Sequence, residues 1–203
     1  MLALVVPVLL GAVEVERVCA LVNSVPILTS DVELAEVAVL VPRQDGESEG
    51  DYEHAVVTAL IELELRWQDL QAAAIVQSTG ADVAAAWQAV VRGAGGEEAL
   101  DRRLHALGLG TTALRSMVRK AAVVEAYVAR RFAPFVRPTT EEIETAWREE
   151  LAPKLRAEGK TVPPLADVRD KVEAIVRERK LTDEVERWTN ELARRAEVVR
   201  YLR

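Results

Sequence analysis

The chain has very few of the residues that build catalytic and metal centres. Its 203 residues contain one cysteine and two histidines. Cys19 cannot form an intramolecular disulfide, and its alternation with apolar neighbours predicts a buried strand position. His54 and His105 have no second His or Cys at metal-ligand spacing, so we interpret both as surface residues. No G-x-S-x-G nucleophile motif is present. These absences predict a protein that is not an enzyme and that has no cofactor and no metal site.

Two motifs match ligand-binding patterns only in part. Alternating acids between residues 45 and 53 place Gly50 at the sixth position of a calcium loop, but the twelfth residue is Val56 instead of the required Glu. Residues 108–113 match G-x-G-x-x-A, which marks a dinucleotide site only when it follows a strand. Here a helix precedes it. We therefore expect a solvated acidic loop and a helix–turn–helix corner.

Aromatic residues are also scarce, at 4% of the chain, although 50% of it is hydrophobic. The apolar content is therefore mostly Ala, Val and Leu. Ala and Leu are strong helix formers, which favours a mainly α fold. The length fits one domain, or one domain with a small lobe, and is sufficient to bury a core.

Charge is distributed unevenly along the chain. Residues 14–100 carry 16 Asp/Glu and 4 Lys/Arg, whereas residues 101–203 carry 17 Asp/Glu and 22 Lys/Arg. Either the two halves attract each other when folded, or an acidic and a basic face meet different partners. The basic residues are interleaved with acids and not with aromatics, so nucleic acid is not an expected partner.

The first thirteen residues form an uncharged and almost wholly apolar run. This run is too short to span a bilayer, which needs about 20 residues. We interpret residues 1–13 as the remnant of a secretory signal peptide, with the basic n-region missing because the start lies upstream or was trimmed. The alternative is a buried N-terminal strand or helix. Export would place the protein in the periplasm.

Extended segments are predicted only near the two ends of the chain. Residues 15–22 and 25–28 flank Asn23-Ser24, which predicts a hairpin. Residues 197–202 also look extended, and so apolar a strand needs a partner. We expect both ends to join in one small antiparallel sheet.

Helical patterns fill the remainder. A capping box at 30–33 predicts a helix to about Val41. Further helices are expected over 51–77, with Glu64 as the one defect in its apolar stripe, over 81–92 and over 97–107. Gly108 lies where a left-handed cap is favoured, and Thr111 or Thr112 caps the next helix. A second box begins at Thr139, residues 153–164 read as a connecting segment, and 165–195 form a long amphipathic helix.

This order of elements resembles the chaperone part of SurA-type periplasmic foldases. The opening strand, turn and helix start match through Val18, Ala20, Leu21, Val22 and Asn23, followed by Ser30 and Asp31. A following helix pair matches through Leu104, Gly108, Leu114 and Arg115. Residues 137–147 resemble the helix that leads towards the isomerase domain, and residues 165–202 resemble the C-terminal helix and strand. The family usually inserts parvulin-type isomerase domains where this chain has about a dozen residues, too few to fold.

The resemblance implies a single SurA-like chaperone domain over 14–203, with a helical body over 14–152 that 165–203 complete. It implies an ATP-independent holdase for unfolded exported or outer-membrane proteins, without isomerase activity. A dedicated interaction or scaffold protein of the cell envelope is the alternative, and a remnant foldase that works with a separate isomerase is a third interpretation. Partners would be unfolded or partly folded polypeptides rather than small-molecule substrates, and a homodimer stays open.

Client binding needs exposed apolar surface. Trp87, Phe135 and Trp147 lie next to helix breakers or connecting segments, so we expect them to be exposed. Together with Tyr52 they form our predicted client-binding set.

Overall fold

The computed structural model describes residues 16–75 and 80–201. The proposed signal peptide lies outside the described residues. Among the described residues, no helix is long and apolar enough to cross a membrane.

A three-stranded sheet joins the two ends of the chain. Strands β1 (Val18–Val22) and β2 (Val25–Leu28) form a hairpin in which Asn23 has a φ of 54°, a conformation that Asn tolerates in tight turns. Strand β3 (Val198–Arg200) pairs antiparallel with β1, so the order is β2-β1-β3. The predicted sheet is confirmed, and Cys19 is buried in β1 as expected.

The first helix starts and ends earlier than predicted. Helix α1 spans Thr29–Val37, and the Asp31 carboxylate accepts the backbone N–H of Leu28 at 2.9 Å. The predicted Ser30-to-Glu33 box is therefore wrong, because the helix begins two residues sooner, at Thr29, and Asp31 is its third residue, whose side chain bonds the backbone of the N-cap residue Leu28. It is also wrong that the helix reaches Val41, since Val39 has a φ of 52° and cannot continue it.

Four longer helices complete the main body. Helix α2 (Glu49–Ala72) is capped by Ser48, and α3 (Gly80–Ala94) and α4 (Glu97–Ala106) follow. Gly108 has a φ of 68°, so the predicted left-handed residue after α4 is confirmed. Helix α5 (Thr111–Arg131) is preceded by Gly110, so neither predicted threonine is its cap, and the Thr111 hydroxyl instead donates to Asp101.

One face of the sheet packs against α2 and the end of the last helix. This core contains Cys19, Ala20, Val22, Ile27, Val32, Val56, Val57, Ile61 and Leu192. A second cluster joins α1, α3, α4 and α5 around Leu34, Trp87, Leu100, Leu104 and Leu114.

A second region is a two-helix layer. After a 3-10 turn (Ala133–Phe135), helix α6 (Thr140–Thr145) continues through a π-helical turn (Ala146–Leu151) into α7 (Ala152–Ala157), and α8 (Leu165–Arg195) returns alongside. The Thr139 box is confirmed by reciprocal bonds with Glu142. The α8 bounds are also as predicted.

The prediction of a connecting segment that begins at Pro153 is wrong, because Pro153 lies inside α7 and does not end the helix. The helix widens instead: the Ala152 N–H donates to the Trp147 carbonyl, five residues back. Proline has no N–H, and its ring crowds the carbonyl four residues earlier, so a wider turn accommodates it. The segment between helices shrinks to residues 158–164.

We call residues 140–176 the arm, and residues 16–75, 80–131 and 185–201 the body. The arm has its own core, made of Ile143, Ala146, Val172 and Val176. None of these four belongs to the clusters of the body. Helix α8, about 46 Å long for 31 residues, runs through both regions.

Candidate functional site

Two of the four predicted client-binding residues are not on the surface. Trp87 is 7% exposed, and the Arg115 guanidinium carbon lies 3.8 Å from its ring centre. Tyr52 is also 7% exposed, and its hydroxyl donates to the Val41 carbonyl at 3.1 Å. The expectation that Trp87 is exposed is wrong because the face of α3 that carries Trp87 packs against α5. Since both aromatic side chains are buried, neither offers a contact surface.

The other two residues belong to the second region. Phe135 lies in the 3-10 turn at the base of the arm and is 76% exposed. Trp147 lies in the π-helical turn and is half-buried against the arm core, so it is less exposed than expected. The structure does not bring the four residues together as one patch.

The apolar side chains around the arm core are partly accessible. Four half-buried side chains surround its core, and we call them the arm surface: Trp147, Leu151, Leu165 and Val168. The stripe of α8 continues through Ile175, Leu181 and Val185, which are half-buried too. Partly accessible apolar side chains therefore recur along the arm and the middle of α8.

An aromatic cluster packs α8 against the end of α5. The ring centres of Tyr127 and Phe132 lie 5.4 and 5.5 Å from that of Trp188. The Trp188 indole N–H donates to the Asp69 carboxylate at 3.2 Å, which attaches α8 to α2. Sequence reasoning did not find this cluster, because its members come from positions far apart in the chain.

A charged bond fastens the start of the arm to α8. The Lys180 ammonium donates to both carboxylate oxygens of Glu142, at 2.6 and 2.9 Å, and to the Arg137 carbonyl at 3.3 Å. This hydrogen bond from Lys180, followed by that from the Thr139 backbone, holds the pKa of Glu142 below its ordinary value. The Glu142 carboxylate thus both caps α6 and joins α6 to α8.

A buried ion pair lies in the body. Glu64 on α2 is 6% exposed and pairs with Lys120 on α5, whose side chain keeps 29% exposure. The Gln68 amide donates to Glu64 at 2.8 Å, and its oxygen accepts from Asn23 in the hairpin turn at 2.6 Å. Asn23 also accepts the Glu197 N–H at 3.0 Å. The defect in the predicted stripe of α2 is therefore the start of a chain of hydrogen bonds that reaches the hairpin turn and the residue before β3.

The described residues give no indication of a metal centre. They contain no group of three or more His, Cys, Asp and Glu side chains placed to hold an ion. His54 and His105 are both exposed, as predicted. Two of the acids between residues 45 and 53 lie in the first turn of α2 and have partners of their own: Glu49 pairs with Arg43, and Asp51 accepts a hydrogen bond from the Ser48 hydroxyl.

Comparison with known proteins assigns no relative. No protein-family model matches the chain, and no curated protein matches it at a significant level. Any function must therefore be argued from the residues and the geometry.

Proposed function

We propose that this protein is an ATP-independent holdase that binds unfolded polypeptides along the arm. The observation that carries the proposal is the arm surface: Trp147, Leu151, Leu165 and Val168 are only half-buried around a core of four residues. Apolar burial is non-directional, so such a surface can hold many sequences. Modest affinity for each contact permits release without a nucleotide.

The arrangement of elements supports the resemblance to SurA-type chaperones. A sheet closed by both ends, a helical body and a long C-terminal helix are what that resemblance implies. The segment between α7 and α8, residues 158–164, is far too short to contain an isomerase domain. We therefore propose client holding without isomerase activity. Periplasmic residence is part of the proposal and rests on the apolar run at residues 1–13.

A dedicated scaffold protein of the cell envelope is the alternative. The same accessible stripe could dock on one folded partner, with charge setting the pairing. The two functions differ in selectivity. A holdase binds many denatured chains and ignores their folded forms, whereas a scaffold captures one folded protein and ignores denatured ones.

Suppression of aggregation tests the proposal. A chemically denatured model protein is diluted into buffer with the chain at equimolar ratio, and light scattering is followed, with an inert protein of similar size as reference. We expect scattering to fall at least twofold relative to the reference. No suppression by a well-folded sample would overturn the holdase proposal.

Substitution of Phe135 tests whether the binding region extends to the 3-10 turn at the base of the arm. Phe135→Ser removes an aromatic ring that is 76% exposed, so stability should change by no more than about 0.5 kcal/mol. Leu107→Ser is the matched control, since Leu107 is 41% exposed but lies on the body after α4. We expect Phe135→Ser to weaken suppression and Leu107→Ser to leave it unchanged. Equal effects of the two would exclude the 3-10 turn at the base of the arm as part of the binding region.

A further inference from the structure

A small cavity of about 280 Å³ opens in the body, away from the arm. Its mouth lies between β2 and α5, where Val25, Pro26 and Ser116 are exposed. Its floor is α2, where Leu60 and Leu63 are buried. Sites for drug-sized ligands span about 300–1,000 Å³, so this cavity suits a single long side chain.

The walls combine apolar side chains with three charged ones. Leu34 and Met117 line the middle of the cavity, and Asp31, Glu64 and Lys120 supply the charge. Glu64 and Lys120 are paired with each other, so their charges cancel locally. The charge that is left over is that of Asp31.

Asp31 forms no close ion pair among the residues that the structure describes. Its carboxylate accepts one backbone N–H, from Leu28 at 2.9 Å. Desolvation by burial raises the pKa of this carboxyl above its ordinary value, and the nearby acids Glu16 and Glu64 add to the rise, although the Leu28 N–H and Lys120 oppose it. A second cation beside Asp31 would offset the cost of burying its charge.

We propose that this cavity binds the side chain of an arginine or lysine from an extended polypeptide. The aliphatic stem would pack against Leu34 and Met117, as long basic side chains do on apolar surfaces. The cationic end would meet the Asp31 carboxylate. The identification of that polypeptide as a client rests on the proposed holdase function, while the chemistry of the cavity does not. A basic residue bound in this cavity would fix which part of a bound polypeptide lies against the protein, although the apolar contacts themselves are non-directional.

Two matched probes test the cavity directly. N-acetyl-arginine amide and N-acetyl-citrulline amide have the same stem, but citrulline carries a neutral urea group in place of the guanidinium. Each is titrated into the ¹⁵N-labelled protein. We expect the arginine probe to shift the amide signals of Ile27, Leu34 and Ser116 in a saturable way, and the citrulline probe to bind at least tenfold more weakly. No saturable shift, or equal binding of both probes, would overturn the proposal.

Asp31→Asn removes the charge and keeps an oxygen that can accept the Leu28 N–H, so α1 retains its cap. We expect it to abolish the tenfold preference for the arginine probe. Asp45→Asn makes the same change in an exposed loop and should leave the preference intact. Retention of the preference in Asp31→Asn would show that Asp31 does not bind the cation. If the protein suppresses aggregation but does not bind the arginine probe, the cavity proposal alone is wrong. If it binds the probe but does not suppress aggregation, the holdase proposal alone is wrong.

Discussion

The body and the arm share one helix and use it differently. In its second half, α8 packs on α2 beside the sheet, where Thr189 and Leu192 are 5% and 7% exposed. In its first half α8 packs on the α6–α7 segment, and Leu165 and Val168 stay half-buried. A stripe in the sequence shows which face of a helix is apolar, but not how many neighbours will cover it. The difference between the two halves separates the structural region from the proposed binding region.

The largest effect is expected from breaking the buried ion pair of the body. Lys120→Met leaves the Glu64 carboxylate buried without its cation. Removing one partner of a buried pair typically costs about 3–5 kcal/mol, and the partial exposure of Lys120 favours the lower end, about 3 kcal/mol. Urea unfolding followed by circular dichroism measures the loss.

Two variants control this measurement. Lys120→Met combined with Glu64→Leu removes both charges and should recover stability to within about 1 kcal/mol of the wild type. Lys160→Met breaks an exposed pair with Glu158 and should cost less than about 0.5 kcal/mol. A loss below about 1 kcal/mol in Lys120→Met would mean that Glu64 does not depend on its partner.

A matched pair of valines tests whether the two regions unfold together. Val57 in the body and Val172 in the arm are 0% and 2% exposed, and both lie within helices. Each Val→Ala change should cost about 2 kcal/mol from lost burial and the cavity left behind. We expect Val57→Ala to lower the global midpoint in urea. Val172→Ala should mainly accelerate hydrogen exchange over residues 140–176, because the arm core is separate.

The comparison fails if the two variants behave alike. An equal drop in the global midpoint would make the arm and the body one cooperative unit. The half-buried arm surface would then be part of a continuous core rather than an independent layer.

Local patterns were sufficient to predict much of the fold. The hairpin, the Thr139 box and the bounds of α8 depend on residues within a few positions of one another. The pairing of β3 with β1 was predictable for a different reason: an apolar strand at one end of a helical chain needs a partner, and the other end held the only strand signal. The cap at Asp31 was missed because Ser30 offered an equally good local signal one residue away.

The candidate site was largely beyond sequence reasoning. Trp87 is covered by Arg115 of α5, and Tyr52 bonds the carbonyl of Val41 in the segment before α2. No sequence pattern close to either aromatic predicts these contacts. Glu64 and Lys120 are separated by 56 residues, so only the unexplained acid in the α2 stripe pointed to a partner. Phe135 was found because a turn residue has few neighbours whatever the tertiary structure.

The smallest expected effect is a difference in how the stability of the arm and of the body depends on pH. The pKa of Glu142 is lowered by its bond to Lys180, so this bond stabilises the arm above the ordinary pKa of Glu and is lost as pH falls through the lowered value. The effect of pH through Asp31 in the body is the opposite: its raised pKa means that the folded state binds more protons, so its unfavourable contribution to stability disappears on acidification.

We expect Glu142→Gln, which imitates the protonated form, to increase hydrogen exchange of the α6 amides at neutral pH and to abolish their acid sensitivity. Glu144→Gln, on an exposed position of the same helix, is the control and should change neither. Acid sensitivity that persists in Glu142→Gln would show that another group fastens the arm.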